Sequence, residues 1–146
     1  MSGVIRTKVA ASPFAVAVVA LNSTATAVET AFAGDVKLEL VDASSAASCG
    51  AHALIRNLGT LTFAAADQGR KTLTGISEPE AWPNARIRMS YPATGAPTVV
   101  ACSTDNFAIR PQSFAVSSSN ANADGTGISA SAPPAIKAGT GFNLTA

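Results

Sequence analysis

The sequence predicts an all-β protein, a two-layered β-sandwich followed by a flexible C-terminal extension, and three observations predict it. Apolar and polar residues alternate with a period of two along several short segments. Turn-forming residues separate those segments at roughly ten-residue spacing, the pattern of a sandwich built from about seven short strands. No window carries a sustained helical apolar stripe with caps, so long helices are not expected.

The elements follow in chain order. Phe14, Val16 and Val18 alternate with Ala15, Ala17 and Val19, a strand expected to be covered on both faces or to face small neighbours. Val36, Leu38 and Leu40 alternate with Asp35, Lys37 and Glu39, which predicts a strand with one wet face. Residues 54–58 are expected to form a turn of helix. Residues 58–63 and 71–74 fill the middle as strands around an Asp67-Gln68-Gly69 turn. Ile87, Met89 and Tyr91 alternate with Arg86, Arg88 and Ser90, and Arg86, Arg88 and Arg110 are expected on solvated faces that discourage edge-to-edge aggregation. Residues 98–102 and 107–109 are short β-rich runs separated by the turn-prone Ser103-Thr104-Asp105-Asn106. Pro79, Pro83, Pro92 and Pro97 exclude long helices from the same region. Phe114-Ala115-Val116 reads as one more strand and closes a first domain spanning residues 5–116.

Residues 117–133, rich in serine, alanine, asparagine and glycine, lack the apolar content to offset their ordering entropy and read as a linker. Residues 134–146 read as the start of a following repeat, or as a donated or returning strand. Lys137 to Ala146 repeats faintly the order of Lys8 to Ala17: a lysine, a small-residue turn, then a phenylalanine opening a strand. The chain also shows no basic region followed by an apolar one at its start and stops inside a strand-like run, so it reads as a piece of an exported parent.

Composition narrows the function. Apolar residues make up 47% of the 146, but aromatic residues only 5%, so the core is thin. Charged residues amount to 13% and the formal net charge is +1, which leaves no basic stripe to grip nucleic acid. The longest near-apolar stretch, residues 14–21, falls far short of the roughly 20 residues of a membrane helix, so no membrane insertion is expected. Cys49 and Cys102 with the single His52 cannot assemble a zinc cage. They read as one disulfide in an oxidising compartment or, alternatively, as two free buried thiols.

Several runs resemble known proteins. Phe14-Ala-Val-Ala-Val-Val-Ala-Leu-Asn22, Val28-Glu-Thr-Ala-Phe-Ala-Gly34 and Val36-Lys-Leu-Glu-Leu40 resemble strands of bacterial immunoglobulin-like repeats. Ala64-Ala-Ala-Asp-Gln-Gly-Arg-Lys71, Ala85-Arg-Ile-Arg-Met89 and, most distinctively, Cys102-Ser-Thr-Asp-Asn-Phe-Ala-Ile-Arg-Pro111 resemble a region of the MshQ-like proteins encoded with mannose-sensitive-haemagglutinin type IV pili. The resemblance spans residues 7–111. It implies an immunoglobulin-like β-sandwich in an exported, multi-module protein of the cell surface or pilus, without catalytic residues or cofactor. Its partners would be neighbouring modules, pilus components or surface glycans.

Individual sites weigh the same way. Cys49 and His52 stand three apart, but a Cys–His nucleophile needs a free thiol in contact with an oriented ring, and a surface-loop histidine is the expectation. Asn120-x-Asn122-x-Asp124-Gly125 opens like a calcium loop, but Ser131 stands where the bidentate glutamate belongs. Glu78 and Glu80 flank Pro79 near Trp82, as glycosidase carboxylates flank a sugar, yet two loop glutamates are expected to be simply solvated. Trp82 and Tyr91 are the candidate ligand contacts; Trp82 would serve a carbohydrate-binding module as a stacking platform or else close one end of the sandwich. The expected role is a structural or adhesive module. The alternatives are a self-assembling fibre subunit that donates residues 141–146 as a strand, and a carbohydrate-binding module.

Overall fold

The computed structural model describes residues 5–114 and, beyond them, the backbone of two short strands, Ser117–Ser118 and Leu144–Thr145. The chain divides into two units, Met1–Gln112 and Ser113–Ala146. In the first, β1 (Lys8–Val9), β2 (Phe14–Val19), β3 (Gly34–Asp42), β4 (Ala53–Phe63), β5 (Arg70–Ile76), β6 (Trp82–Tyr91), β7 (Val99–Cys102) and β8 (Phe107–Arg110) are joined by loops and two single-turn 3-10 helices, Cys49–Ala51 and Ala65–Asp67. The protein is all-β. In the second unit, β9 (Ser117–Ser118) pairs antiparallel with β10 (Leu144–Thr145). Phe114 is exposed and belongs to no strand, so the strand expected at 114–116 does not begin there. Ala115, Val116, the calcium-like loop and most of the expected linker and repeat lie outside the described residues.

Two sheets enclose one core. The larger runs β1-β8-β6-β3-β4, with β7 also on β6, and the smaller is the β2–β5 pair. β1 lies parallel to β8, and the other pairings are antiparallel. Val16 and Val18 of β2 with Ile76 of β5 meet Val36, Leu38, Leu40, Leu61, Ile87 and Ile109 of the large sheet in a single buried cluster. Phe14 and Phe107 cross between the sheets edge to face, 6.2 Å between ring centroids. The outward residues Ala15 and Ala17 are exposed, so β2 is covered on one face, not two.

β4 overturns the expected helical turn. Its ladder with β3 slips twice, between Leu38 and Glu39 and between Leu40 and Val41, leaving Leu58 and Ile55 as extra residues on β4. Each bulge advances the strand by one residue and exchanges its faces. Gly59, at φ +99°, supplies the left-handed backbone beside the first bulge, and its N–H donates to Asn57 Oδ1 at 2.9 Å. At the expected Asp67-Gln68-Gly69 turn, Gln68 and Gly69 adopt φ of +50° and +69°. A Cβ on Gly69 would sit 2.4 Å from the Glu29 carbonyl oxygen, so only glycine fits.

β7 and β8 do not pair with each other. Both lie along the same edge of β6, Cys102 opposite Arg88 and Phe107 opposite Ala85. The intervening Ser103 is pinned to β6, its N–H donating to the Ile87 carbonyl at 2.8 Å and its Oγ accepting from the Ile87 N–H at 3.2 Å.

Candidate functional site

The outer face of the large sheet carries a row of cross-strand neighbours. Glu39 on β3 stands opposite Arg88 on β6, and Arg88 stands opposite Cys102 on β7. Arg88 Nε donates to Glu39 Oε2 at 2.8 Å, and Lys37 Nζ bonds Glu39 Oε1 at 2.6 Å. Nη1 of Arg88 reaches up to the Gly50 and His52 carbonyls at 3.2 and 3.0 Å. Those carbonyls belong to the Cys49–Ala51 turn and the residue after it. Cys49 is bonded to Cys102, with 5.7 Å between their Cα atoms. A covalent clasp and an arginine therefore hold one loop down over a charge cluster.

Burial makes the cluster unusual. Glu39 is only 5% exposed, and the Arg88 side chain 12%. The expectation that both face solvent fails because the clasped loop roofs them. Burial pushes the Glu39 carboxyl up, but hydrogen bonds from Lys37 and Arg88, with their charges, outweigh it and hold the group below its ordinary value of 4.5. The disulfide itself joins the β3–β4 connection to β7, all within the large sheet, so it does not tie the two layers together.

The other sequence candidates resolve individually. Cys49 is oxidised and is no nucleophile, and His52 is buried, with Nδ1 lacking a hydrogen-bond partner among the described residues. His52 is therefore not the surface-loop histidine expected. Glu78 is not simply solvated either: it is 4% exposed, accepts from Arg56 Nε at 2.7 Å on Oε2, and accepts from the Glu80 N–H at 3.1 Å on Oε1. Glu80 is exposed. Arg86 donates to Asn106 Oδ1, and Arg110 is exposed. Trp82 and Tyr91 are the first and last residues of β6. The length of the strand holds them about 30 Å apart, so they form no common aromatic platform. Trp82 packs against the core with its Nε1 buried and unpartnered among the described residues. Tyr91 packs edge to face on Phe32 at 5.2 Å, over Gly34, where a Cβ would lie 2.7 Å from the Tyr91 ring.

Two clefts flank β7. A polar one of about 280 Å³ is lined by Lys37, Glu39, Arg88, Gly50 and Val100, among others. An apolar one of about 440 Å³ opens on the other face. Among the described residues no group of three metal-ligating side chains comes together, and no helix is long and apolar enough to cross a membrane. No protein-family model, curated protein or solved structure matches the chain.

Reading the sequence alone missed the Lys37–Glu39–Arg88 cluster. The available signal was Leu38-Glu39-Leu40-Val41, where apolar residues on both parities mark a strand covered on both faces.

Proposed function

We propose that the chain is an immunoglobulin-like module of an exported, multi-module bacterial surface or pilus-associated protein, with a structural and adhesive role. The strand partition supports the fold assignment: β2 with β5 on one side, and β4, β3, β6 and β8 on the other, parallel the B–E and C′–C–F–G grouping of such sandwiches. The observation that carries the functional reading is the Cys49–Cys102 clasp with Arg88 beneath it. A disulfide persists in oxidising compartments, and here it closes a loop that contains β4, β5, β6 and β7. In the chain-entropy account, a loop of 53 residues stabilises the fold by about 4 kcal/mol. That is large for a thin core. A clasped sheet suits a module that bears load between neighbours.

Single-molecule pulling of the intact chain tests the mechanical role. With the bond closed, the 53-residue span stays locked, and reduction lengthens the unfolding step by about 190 Å. An unfolding step of equal length and force in both redox states would remove the mechanical role. Labelling of intact source cells by an antibody against the chain tests the location, and signal only after lysis contradicts it.

A further inference from the structure

One side of the sandwich is unfinished. Among the described residues β7 pairs only with β6, and β2 only with β5. Between these two bare edges the layers part to form the apolar cleft. Val18 and Leu21 form one wall, Met89 and Val99 the other, with Phe32 and Phe63 between them. No charged residue lines it. Along β7, Val99 and Ala101 face this cleft, whereas Val100 lines the polar one on the opposite side. Val99 and Val100 are 56% and 40% exposed. Exposed edges are ordinarily guarded by charge, proline or a covering element, and Val99–Cys102 carries none of the first two.

A bare edge beside an uncharged cleft fits one kind of ligand. An extended, uncharged strand can bond the edge through its backbone while every second side chain enters the cleft. The chain carries such a segment in Gly141-Phe142-Asn143-Leu144-Thr145, which has no charge and places its two bulky residues two apart. Leu144–Thr145 already has strand backbone, and its partner Ser117–Ser118 offers only two residues where β7 offers four. We propose that the β2–β7 cleft accepts residues 141–145 of a second copy of this chain. The stretch from Ser113 to Gly141 can extend to about 90 Å, which lets the segment reach a neighbouring molecule. Such head-to-tail contacts propagate, because each copy offers one donor and one acceptor.

Sedimentation of the intact chain over a wide concentration range tests this with three forms: the unaltered chain, Phe142→Asp to spoil the donor, and Val99→Lys to spoil the acceptor. Because Val99 is mostly exposed, its replacement leaves the fold intact, as circular dichroism will verify. The unaltered chain is expected to at least double its weight-average mass from 14.6 kDa as concentration rises. Each variant alone stays at the monomer mass, and an equimolar mixture of the two forms a dimer and nothing larger. An unaltered chain that stays monomeric up to millimolar concentration overturns the proposal. So do assemblies that survive either substitution, and so does a mixture that fails to dimerise.

Discussion

β7 and β8 lie end to end along one edge of β6, and they are held there by different means. β8 buries Phe107 and Ile109, stacks Phe107 on Phe14 of the opposite layer, and is covered along its outer edge by β1. β7 leaves Val99, Val100 and Ala101 exposed, and depends on its ladder with β6 and on the Cys102 sulfur. The comparison teaches how a chain with few large side chains completes a sheet. Where apolar area is available it does the work, and where it is not, a covalent bond and a roofed ion pair substitute for it.

The apolar half should be the more sensitive. Phe107→Ala removes a buried ring from between the layers and is expected to cost about 3–5 kcal/mol, read as a fall in the denaturant midpoint. A loss below about 1 kcal/mol would mean that β8 is not the better-packed half. The covalent half comes next. Replacing Cys49 and Cys102 together by serine should lower stability by up to about 4 kcal/mol. An unchanged midpoint would show that β7 needs no clasp.

Arg88 sharpens the contrast, because it and the disulfide hold the same loop. Arg88→Met strips Glu39 of its buried partner and leaves Lys37 to neutralise it, at a cost of about 2 kcal/mol. In the serine background the loop is no longer pressed onto the cluster and water can reach Glu39, so the same substitution should cost less. A double-mutant cycle measures that coupling. Strict additivity would separate the arginine from the clasp.

How much of this was legible in the sequence follows from what each signal depends on. The alternations in β3 and β6 depend only on neighbouring residues, and they located both strands correctly. The second half of β4 was read as a strand at 58–63, but its first half hid because Ile55 and Leu58 are bulge residues: two one-residue insertions turn a period-two strand into the i, i+1, i+4 spacing of a helix. Glu39, Arg88 and Glu78 were assigned to solvent because a charge is ordinarily exposed unless it is paired. Glu39 meets Arg88 and Glu78 meets Arg56 from different strands or across a loop, which one-dimensional spacing does not reveal. The cysteines were recognised as a pair, but their position within one sheet, rather than between two, follows only from the strand order.

Acid titration separates the two halves by a different route, with a smaller effect. The Glu39 carboxyl is held below 4.5 in the folded chain. In the unfolded chain its partners disperse and it returns to the ordinary value. Between the folded and unfolded values the unfolded state binds the extra proton, so stability falls as the pH is lowered. The contribution is fully present above the unfolded value and is lost as pH drops through the folded one. The melting temperature of the unaltered chain should therefore decline on acidification below about pH 5. Glu39→Gln should flatten that decline, because glutamine can still accept from Lys37 and Arg88 but does not titrate. Phe107→Ala should leave the slope intact while lowering the whole curve, since β8 is held by apolar contact. Equal slopes in the unaltered chain and Glu39→Gln would show that the roofed ion pair contributes nothing to holding the clasped half.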